Sequence, residues 1–400
     1  MRVLTINCGS SSLKFDVLDV GASEYVRLAR GVVDRFGEQA HVRIETGSEV
    51  IEQSSVVRDH TDAFKAAAKM LERTGHQMGI EVIGHRVVHG GGQFVTPVLI
   101  DDDVLAVIES VSALAPLHNA PAIAAITAAR AYFGVNSRMV ATFDTAFYSG
   151  LPEVAARYAL PQALTAELGI RRYGFHGLAH RYMVSRYRSL HPGLAAPRLI
   201  SLQLGGGCSA TATLDGRPLD TSMGFTPLEG LIMGTRSGDI DPSLPLFLAR
   251  RLSLSLDQVE AILNSESGLL GLSGVSADMR DLVAAEAAGN PEASLAVEAF
   301  CYRARKYVGA YLAVLNGADG LLFGGGVGEH DVEVRRRICS GLEWAGLELD
   351  SDANQAGPSE ERRISSQEGG FEAWVIPVDE ASVIAQDVVA CLAGGYETGQ

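Results

Sequence analysis

The sequence is short of positive charge. Its 33 Lys and Arg residues stand against 48 Asp and Glu residues, which gives a net charge of −15 at pH 7. So acidic a chain is a poor partner for nucleic acid and for anionic membranes, and we expect neither as a main ligand. A phosphate-bearing small molecule remains possible, because a few arginines and backbone N–H groups can bind a phosphate locally.

Cysteines and long apolar runs are also scarce. The five cysteines are scattered and not in CxxC spacing: Cys8, Cys208, Cys301, Cys339 and Cys391. This pattern argues against a disulfide framework and a structural zinc site, and it predicts reduced, mostly buried thiols. No apolar run approaches the length of a membrane span. Residues Arg2–Ile6 are typical of a strand rather than of a signal peptide, so we expect a cytoplasmic protein.

The chain is long enough for two globular domains. Its 400 residues exceed the size at which one hydrophobic core keeps growing. Hydrophobic residues make up 47% and charged residues 20%, as in packed enzymes. Composition favours a domain boundary at Pro192–Pro197, and an earlier boundary near Gly150–Pro152 stays open.

The pattern of apolar residues predicts a mixed α/β order. Strands are expected at Arg2–Ile6, Leu13–Leu18, Val82–His89 and Met139–Phe143. A helix is expected at Pro121–Phe133, with its proline near the first turn.

The opening of the chain recurs halfway along it. Residues 200–215 (ISLQLGGGCSATATLD) match residues 4–19 (LTINCGSSSLKFDVLD) after a shift of 196, with three identities in sixteen positions. Two unrelated hairpins could produce so weak a match. The offset of nearly half the chain favours two related domains, each opening with a hairpin whose turn faces a shared cleft.

Two glycine-rich segments are candidate phosphate sites. The first, Asn7–Lys14, joins a close-approach glycine to hydroxyl donors and one lysine, although a plain surface hairpin is about as good a reading. The second, Gly324–His330, follows an apolar strand and precedes a helix predicted at Val332–Ile338, whose bare N–H groups would favour an anion. The sequence contains no GxxxxGK[ST] motif, so a Walker-type loop is not expected.

Four polar residues are candidates for phosphoryl-transfer chemistry. Asp144 follows a predicted strand, where an α/β enzyme holds its acids. Arg86, His176 and Arg236 each lie in a glycine-flanked segment and could meet the charge that spreads over a transferring phosphoryl group. Taken singly, each is more often a cap, a salt bridge or a solvated charge. The other histidines in these segments are interpreted as structural: His85, His89 and His180.

The motifs resemble those of the acetate kinase family, within the acetate and sugar kinase/heat-shock chaperone/actin superfamily. The resemblance covers nearly the whole chain, and it rests on these segments: NCGSSSLK (Asn7–Lys14), GHRVVHGG (Gly84–Gly91), LAPLHNAP (Leu114–Pro121), ATFDTAF (Ala141–Phe147), RRYGFHG (Arg171–Gly177), TSMGFTPLEGL (Thr221–Leu231), GTRSGDIDP (Gly234–Pro242), GLLGLSGVSADMRD (Gly268–Asp281) and GGGVGEH (Gly324–His330).

The resemblance implies a fold and a reaction. The fold would be α/β, with duplicated actin-like (ribonuclease H-like) ATPase domains and a central cleft. The first domain would span 1–150 and be rejoined by the C-terminal helix, about 381–400, and the second would span 151–380. The reaction would be a reversible, direct in-line transfer of the ATP γ-phosphoryl group to a short carboxylate, which gives an acyl phosphate and ADP. The resemblance also implies a requirement for Mg²⁺, with Mn²⁺ as an alternative ion, and a homodimer.

Site residues carry over by motif. Arg86 and Arg236 would hold the carboxylate and the phosphoryl group, His176 would stabilise the transition state, and Asp144 would orient the acceptor and the metal. Asn7 and Glu380 would serve Mg²⁺, mainly through its waters. The acyl group would be bound at Arg86, Val88, Leu117, His118, Phe175 and Pro227. The nucleotide would be bound at Ser10, Ser12, Lys14, Gln203, Leu204, Gly205, Gly206, Gly207, Asp278, Met279, Arg280, Gly326, Val327, Gly328, Glu329 and His330.

Two segments depart from the family pattern. Gln203–Gly207 stands where the family usually has His-Leu-Gly-Asn-Gly, and His330 stands where it usually has Asn. The triple glycine is more similar to butyrate kinase. Acetate is therefore the first expected acceptor, with propionate or butyrate as alternatives, and the phosphoryl donor could be other than ATP. A nucleotide-binding scaffold or switch without transfer chemistry is the alternative of another class.

Overall fold

The computed structural model describes residues 1–9, 11–21, 24–47, 49–112, 116–357 and 360–394, and at residues 116–118 it describes the backbone alone. The chain divides into two compact units. The first comprises Met1–Ser149 and Asp379–Gln400, and the second comprises Gly150–Val378.

The first unit is built mainly from strands. Up to Tyr148 its elements are β1 (Arg2–Cys8), β2 (Ser12–Val20), β3 (Tyr25–Asp34), β4 (Gly37–Thr46), β5 (Val50–Val57), α1 (His60–Arg73), β6 (Val82–Val87), β7 (Val98–Leu99), α2 (Asp102–Val111), α3 (Pro116–Phe133), β8 (Met139–Phe143) and a 3₁₀ helix (Asp144–Tyr148).

The second unit contains more helix. Its elements are α4 (Glu153–Ala156), α5 (Gln162–Leu168), α6 (Gly177–Leu190), β9 (Arg198–Leu204), β10 (Cys208–Leu214), β11 (Arg217–Thr221), α7 (Ser243–Leu252), α8 (Leu256–Ser265), α9 (Gly268–Ser273), α10 (Met279–Ala287), α11 (Pro291–Leu315), β12 (Gly320–Gly324), α12 (Gly325–His330), α13 (Val332–Cys339), a 3₁₀ helix (Glu343–Ala345), α14 (Ser351–Gln355), β13 (Arg362–Arg363) and β14 (Glu372–Val375). The chain then returns to the first unit as α15 (Glu380–Leu392).

The two sheets share one strand order. The first contains the run β3-β2-β1-β6-β8 and the second the run β11-β10-β9-β12-β14. In the first run, β3, β2 and β1 pair antiparallel, and β6 and β8 run parallel to β1. In the second run, β11, β10 and β9 pair antiparallel, and β12 and β14 run parallel to β9. Parallel neighbours need crossover connections, which the intervening helices supply. The repeat expected from the sequence therefore corresponds to a ribonuclease H-like sheet that occurs once in each unit.

The two opening hairpins begin at positions 196 residues apart but differ by one residue in register. β1 and β9 start at Arg2 and Arg198, and β2 and β10 start at Ser12 and Cys208. Asn7 pairs with Lys14 in the first hairpin, whereas Gln203 pairs with Ser209 in the second. A one-residue shift of this kind changes which side chain stands opposite the strand end.

Helix α15 packs closely on the first sheet. A Cβ at Gly84 of β6 would lie 2.5 Å from the Ile384 side chain and 2.8 Å from that of Val388, so only glycine allows this approach. The Thr142 hydroxyl of β8 donates a hydrogen bond to Asp387 of α15. These contacts place the first turn of α15, and with it Glu380, at the end of the sheet.

The helix expected at Pro121 begins earlier than predicted. It starts at Pro116, so Pro121 lies inside α3 rather than near its first turn. Pro116 takes the first helical position, where a missing N–H costs nothing, whereas Pro121 removes one internal hydrogen bond.

The expectation of buried thiols is confirmed at Cys8, Cys208, Cys301 and Cys339, and Cys391 is half-buried. Burial raises the pKa of Cys8 and of Cys208 to about 12. Within the described ranges, no helix combines the length and the apolar character that crossing a membrane would require.

Candidate active site

Four predicted site residues of the first unit meet in one cluster, here called the Arg86 cluster: Asn7, Arg86, Asp144 and Glu380. Asn7 and Arg86 are the penultimate residues of β1 and β6, and Asp144 directly follows β8. These three strands are parallel neighbours, so their carboxyl ends share one edge of the sheet. Glu380 reaches the same place from the first turn of α15.

The Arg86 guanidinium is the centre of this cluster. It donates to both Asp144 oxygens, from Nε at 3.1 Å and from Nη2 at 2.6 Å. Its Nη1 donates to Asn7 Oδ1 at 3.0 Å and to Glu380 Oε2 at 3.4 Å. Burial alone would lower the pKa of Arg86, but Asp144 and Glu380 raise it further than burial lowers it. The fork geometry fixes the plane of the guanidinium.

The first glycine turn stands beside this cluster. The Gly9 N–H donates to the Ser12 carbonyl at 2.9 Å, and a Cβ on Gly9 would lie 2.8 Å from Ser12 Oγ. Lys14 is exposed and pairs with Asn7 across the hairpin. His60 Nε2 donates to the Gly9 carbonyl at 2.8 Å, a contact that no sequence motif predicts. Ser10 lies outside the described residues.

The candidate acyl-binding residues divide between the units. Val88 is buried in the first unit, directly after β6, and Phe175 is buried in the second. Leu117 and His118 lie in α3, and their side chains are outside the described residues. Pro227 lies in the second unit, where its carbonyl accepts a hydrogen bond from Arg236.

Sequence reasoning missed Asn119. Its amide accepts from the His89 N–H and donates to the His89 carbonyl, both at 2.9 Å, and the side chain is fully buried. This reciprocal pair ties the segment after β6, which carries Val88, to α3. The sequence shows only an asparagine within the motif LHNAP, and its burial and its partner became evident from the structure.

In the second unit, His176 and Arg236 converge on the turn that follows β9. A Cβ on Gly207 would lie 3.4 Å from His176 Nε2 and 3.7 Å from Arg236 Nη1, so the glycine leaves room for both side chains. The Gly234 N–H donates to the Gly206 carbonyl at 3.0 Å and links the Arg236 loop to this turn. Arg236 Nη1 donates to the Pro227 carbonyl at 3.1 Å, and burial lowers the pKa of Arg236.

His176 has an uncommon backbone conformation. It caps the start of α6 with φ of 58°, in the left-handed region. A non-glycine residue there costs on the order of 1–2 kcal/mol, and such strain is concentrated at functional sites.

The second glycine segment differs from the expectation. Gly325–His330 forms the short helix α12 instead of a loop. The Glu329 carboxylate holds it, because one oxygen accepts from the Gly325 N–H at 2.9 Å and from the Val378 N–H at 3.0 Å. The start of α13 is not bare, since Asp331 accepts from the Val334 N–H. One of the N–H groups expected to be bare is therefore occupied, and the anion site in this segment stays a prediction.

The remaining nucleotide-side residues are spread over three places. Gln203 and Leu204 pack against the Gly325 backbone, where a Cβ would lie 2.5 Å from the Leu204 carbonyl. Gly326 has open space around it and His330 is exposed, whereas Gly328 is buried and Val327 is half-buried. Asp278 caps α10, Met279 is buried behind it, and Arg280 is exposed and paired with Asp278.

The repeated sheets define an actin-like α/β fold, with Arg86 at a strand end of the first sheet and His176 and Arg236 at the turn after β9 of the second. A model of the acetokinase family matches residues 2–386. The chain belongs to the acetokinase family.

Relatives match the chain end to end. The acetate kinase of Solibacter usitatus (strain Ellin6076) is 46% identical, with 98% of this chain and 99% of the relative covered. The crystal structure of Porphyromonas gingivalis acetate kinase is 38% identical with a TM-score of 0.87, covering 98% of this chain and 99% of that one. The structure of a propionate kinase from Francisella tularensis subsp. tularensis SCHU S4 is 38% identical with a TM-score of 0.89, covering 96% and 98%.

Proposed function

We propose that the protein is an acetate kinase, which reversibly transfers the γ-phosphoryl group of ATP to acetate and forms acetyl phosphate and ADP. The observation that carries the proposal is the Arg86 cluster, a bidentate arginine at the carboxyl ends of three parallel strands in a chain of the acetokinase family. A guanidinium held in a fixed plane suits a planar carboxylate acceptor.

Each residue has a distinct task in this proposal. Arg86 binds the acceptor, and Asp144 orients the Arg86 guanidinium through two hydrogen bonds. His176 and Arg236 meet the charge on the oxygens of the transferring phosphoryl group. Transfer is direct and in line, and the high pKa of the buried Cys8 and Cys208 thiols suits neither for a covalent step.

The Arg86 cluster also suits a divalent cation. The cluster contains the carboxylates of Asp144 and Glu380 and the amide oxygen of Asn7 around one guanidinium. Carboxylate and amide oxygens are the hard donors that Mg²⁺ prefers. No group of three or more His, Cys, Asp or Glu side chains in the described part of the chain could enclose a metal. Mg²⁺ commonly binds through one or two carboxylates, waters and substrate phosphates, so Asn7 and Glu380 would hold Mg²⁺, or Mn²⁺, mainly through its waters. Such an ion neutralises charge on the phosphates of the nucleotide.

A hydroxamate assay tests the proposal. Purified protein is given ATP, Mg²⁺ and acetate, propionate or butyrate, and acyl phosphate is trapped with hydroxylamine. We expect the highest kcat/KM with acetate and a loss of at least about 100-fold in Arg86→Ala. The exposed Arg217→Ala variant is the control and should match the wild type. Nucleotide binding without any acyl phosphate would contradict the proposal and favour a scaffold.

Propionate is the second candidate acceptor. The observation that favours it is the TM-score of 0.89 with the structure of the propionate kinase from Francisella tularensis. One methylene changes binding by only about 1–3 kcal/mol, so an apolar acyl site discriminates modestly. A higher kcat/KM for propionate than for acetate in the same assay would reverse the assignment.

The proposal includes the cytoplasmic location and the homodimer that the resemblance implies. Helix α7 offers a surface for a second copy, because Leu246 and Phe247 are 52% and 58% exposed and no residue of this helix is buried. A two-fold axis would set this apolar helix against its own copy. Sedimentation should show a dimer for the wild type and for Met78→Asp, an exposed site in the first unit, and a monomer for Phe247→Asp. A dimeric Phe247→Asp would exclude α7 as the contact.

A further inference from the structure

A chain of hydrogen bonds extends behind His176 into the core of the second unit. His176 Nδ1 lies 2.9 Å from Ser209 Oγ. The same oxygen lies 2.7 Å from His180 Nε2, and His180 Nδ1 lies 2.7 Å from Ser201 Oγ. Ser201 Oγ in turn lies 3.5 Å from the Thr211 carbonyl oxygen.

The fold builds this chain from three elements. His176 is the N-cap of α6 and His180 lies in its first turn, where the His180 N–H donates to the His176 carbonyl at 3.0 Å. Ser201 and Ser209 lie on the paired strands β9 and β10. His180, Ser201 and Ser209 are fully buried, so water does not compete for these hydrogen bonds.

One hydroxyl joins the two histidines. Burial lowers the pKa of His180 to about 3, so its ring is neutral and has one donor and one acceptor nitrogen. Ser201 Oγ lies 2.7 Å from His180 Nδ1 and 3.5 Å from the Thr211 carbonyl, so its hydrogen can serve either partner. In both cases the Ser209 hydroxyl donates to one histidine and accepts from the other, and so couples the two rings.

We infer that Ser209 and His180 are positioning residues for His176, which hold its Nδ1 and present Nε2 to the transferring phosphoryl group. The inference rests on the proposed function of His176. The direction of the chain sets which form of the ring donates from Nε2. A neutral His176 does so when Nδ1 accepts from Ser209, and an imidazolium does so when Nδ1–H donates to Ser209.

A matched pair of variants tests this role. Ser209→Ala removes the hydroxyl that joins the two histidines. Thr213→Val removes another buried hydroxyl from the same side of the same strand. The Thr213 hydroxyl donates to the Leu199 carbonyl instead. We expect Ser209→Ala to lower kcat by about 10–100-fold, as loss of an orienting partner does, with KM for ATP and acetate within about twofold. Ser209→Thr, which retains a hydroxyl, should recover most of the activity.

The outcomes separate this inference from the proposed function. Equal kcat in Ser209→Ala and Thr213→Val, with an active wild type, would overturn the positioning role. A wild type that forms no acyl phosphate would instead overturn the proposed function. Should the variants not fold, ¹⁵N spectra of histidine-labelled wild type decide, since a neutral His176 held at Nδ1 must populate one tautomer. Ring nitrogens of His176 that average between both tautomers would overturn the inference.

Discussion

The two arginines of the candidate site differ in what surrounds them. Arg86 is held by the carboxylates of Asp144 and Glu380, which raise its pKa. Arg236 donates to the neutral Pro227 carbonyl, and burial lowers its pKa. Burial is the main influence on the pKa of the Arg236 guanidinium, so an arriving anion should stabilise its charge strongly where the local dielectric is low.

Arg236 should therefore act mainly in the transition state. We expect Arg236→Ala to lower kcat by at least about 100-fold while the Kd for ADP, measured by titration calorimetry, changes less than about threefold. Arg217→Ala, an exposed change in the same unit, should leave both values unaltered. Equal losses in kcat and in ADP affinity would contradict the assignment.

His330 should affect nucleotide binding rather than chemistry. It is the exposed last residue of α12, beside the open space at Gly326. We expect His330→Asn to change the KM for ATP by about threefold or more with little change in kcat, because contacts made equally in the ground and transition states alter KM alone. Initial rates over an ATP series measure this, with His41→Asn as the control. An unaltered ATP KM would show that this departure from the family is neutral.

Contacts between side chains of different elements could not be predicted from the sequence. The motifs indicated Arg86, Asp144 and His176 as candidates, and their roles remain predictions. His180 was interpreted as structural, although its spacing of four from His176 was a usable signal. Ser209 and Asn119 could not be identified as partners from the sequence, because no sequence pattern indicates which group a serine or an asparagine will contact.

At the scale of elements, periodicity predicted strands better than it predicted turns and glycine segments. The shift of 196 found the starts of both hairpins, but the register differs by one residue, which no composition pattern reveals. The glycines of residues 324–330 predicted a loop because glycine is a poor helix former. A tertiary contact prevails there, since Glu329 joins α12 to the backbone at Val378.

The start of α15 is the element end that matters most for the candidate metal site. Asp379 caps the helix, and its carboxylate accepts from the Tyr25 hydroxyl at 2.9 Å and from Arg27 Nη2 at 2.6 Å. Arg27 also pairs with Asp16. This network on β2 and β3 fixes the residue immediately before Glu380.

Loss of this cap should weaken the response to Mg²⁺. We expect Asp379→Ala to raise the KM for Mg²⁺ severalfold, with kcat at saturating Mg²⁺ within about twofold of the wild type, because Glu380 loses its fixed position. Asp101→Ala is the control for loss of a cap, since Asp101 accepts from the Val104 N–H at the start of α2. Its stability should fall by about 1 kcal/mol, and that of Asp379→Ala by more, because this change also removes the hydrogen bonds from Tyr25 and Arg27. The same Mg²⁺ dependence in both would mean that the cap at Asp379 acts only on stability.

At the scale of the whole molecule, the resemblance of nine motifs predicted the family, and the match over residues 2–386 confirms it. Composition alone predicted a packed globular enzyme, and the pattern of apolar residues added the α/β order. The strand order common to both sheets needed the structure, because a repeat with three identities in sixteen positions does not define which strands pair.

Both units contain histidines that folding keeps neutral. Burial lowers the pKa of His85 and of His180 to about 3 and that of His89 to about 4. In the unfolded chain these side chains titrate near 6.5. Between these values the unfolded state binds protons that the folded state does not, so stability falls as pH decreases below about 6.5. Each histidine contributes a slope of up to about 1.4 kcal/mol per pH unit.

Acid should therefore destabilise the protein well above the pKa range of its carboxylates. We expect the free energy of unfolding in urea to be nearly constant from pH 8 to 7 and to fall steadily from pH 6.5 to 5. His85→Leu should remove about a third of that slope, whatever it does to stability at pH 7, because it removes one of three proton-binding groups from the unfolded state. His41→Leu, at a partly exposed histidine, should keep the full slope. An unfolding free energy that stays flat down to pH 5 would show that the three rings are protonated in the folded protein.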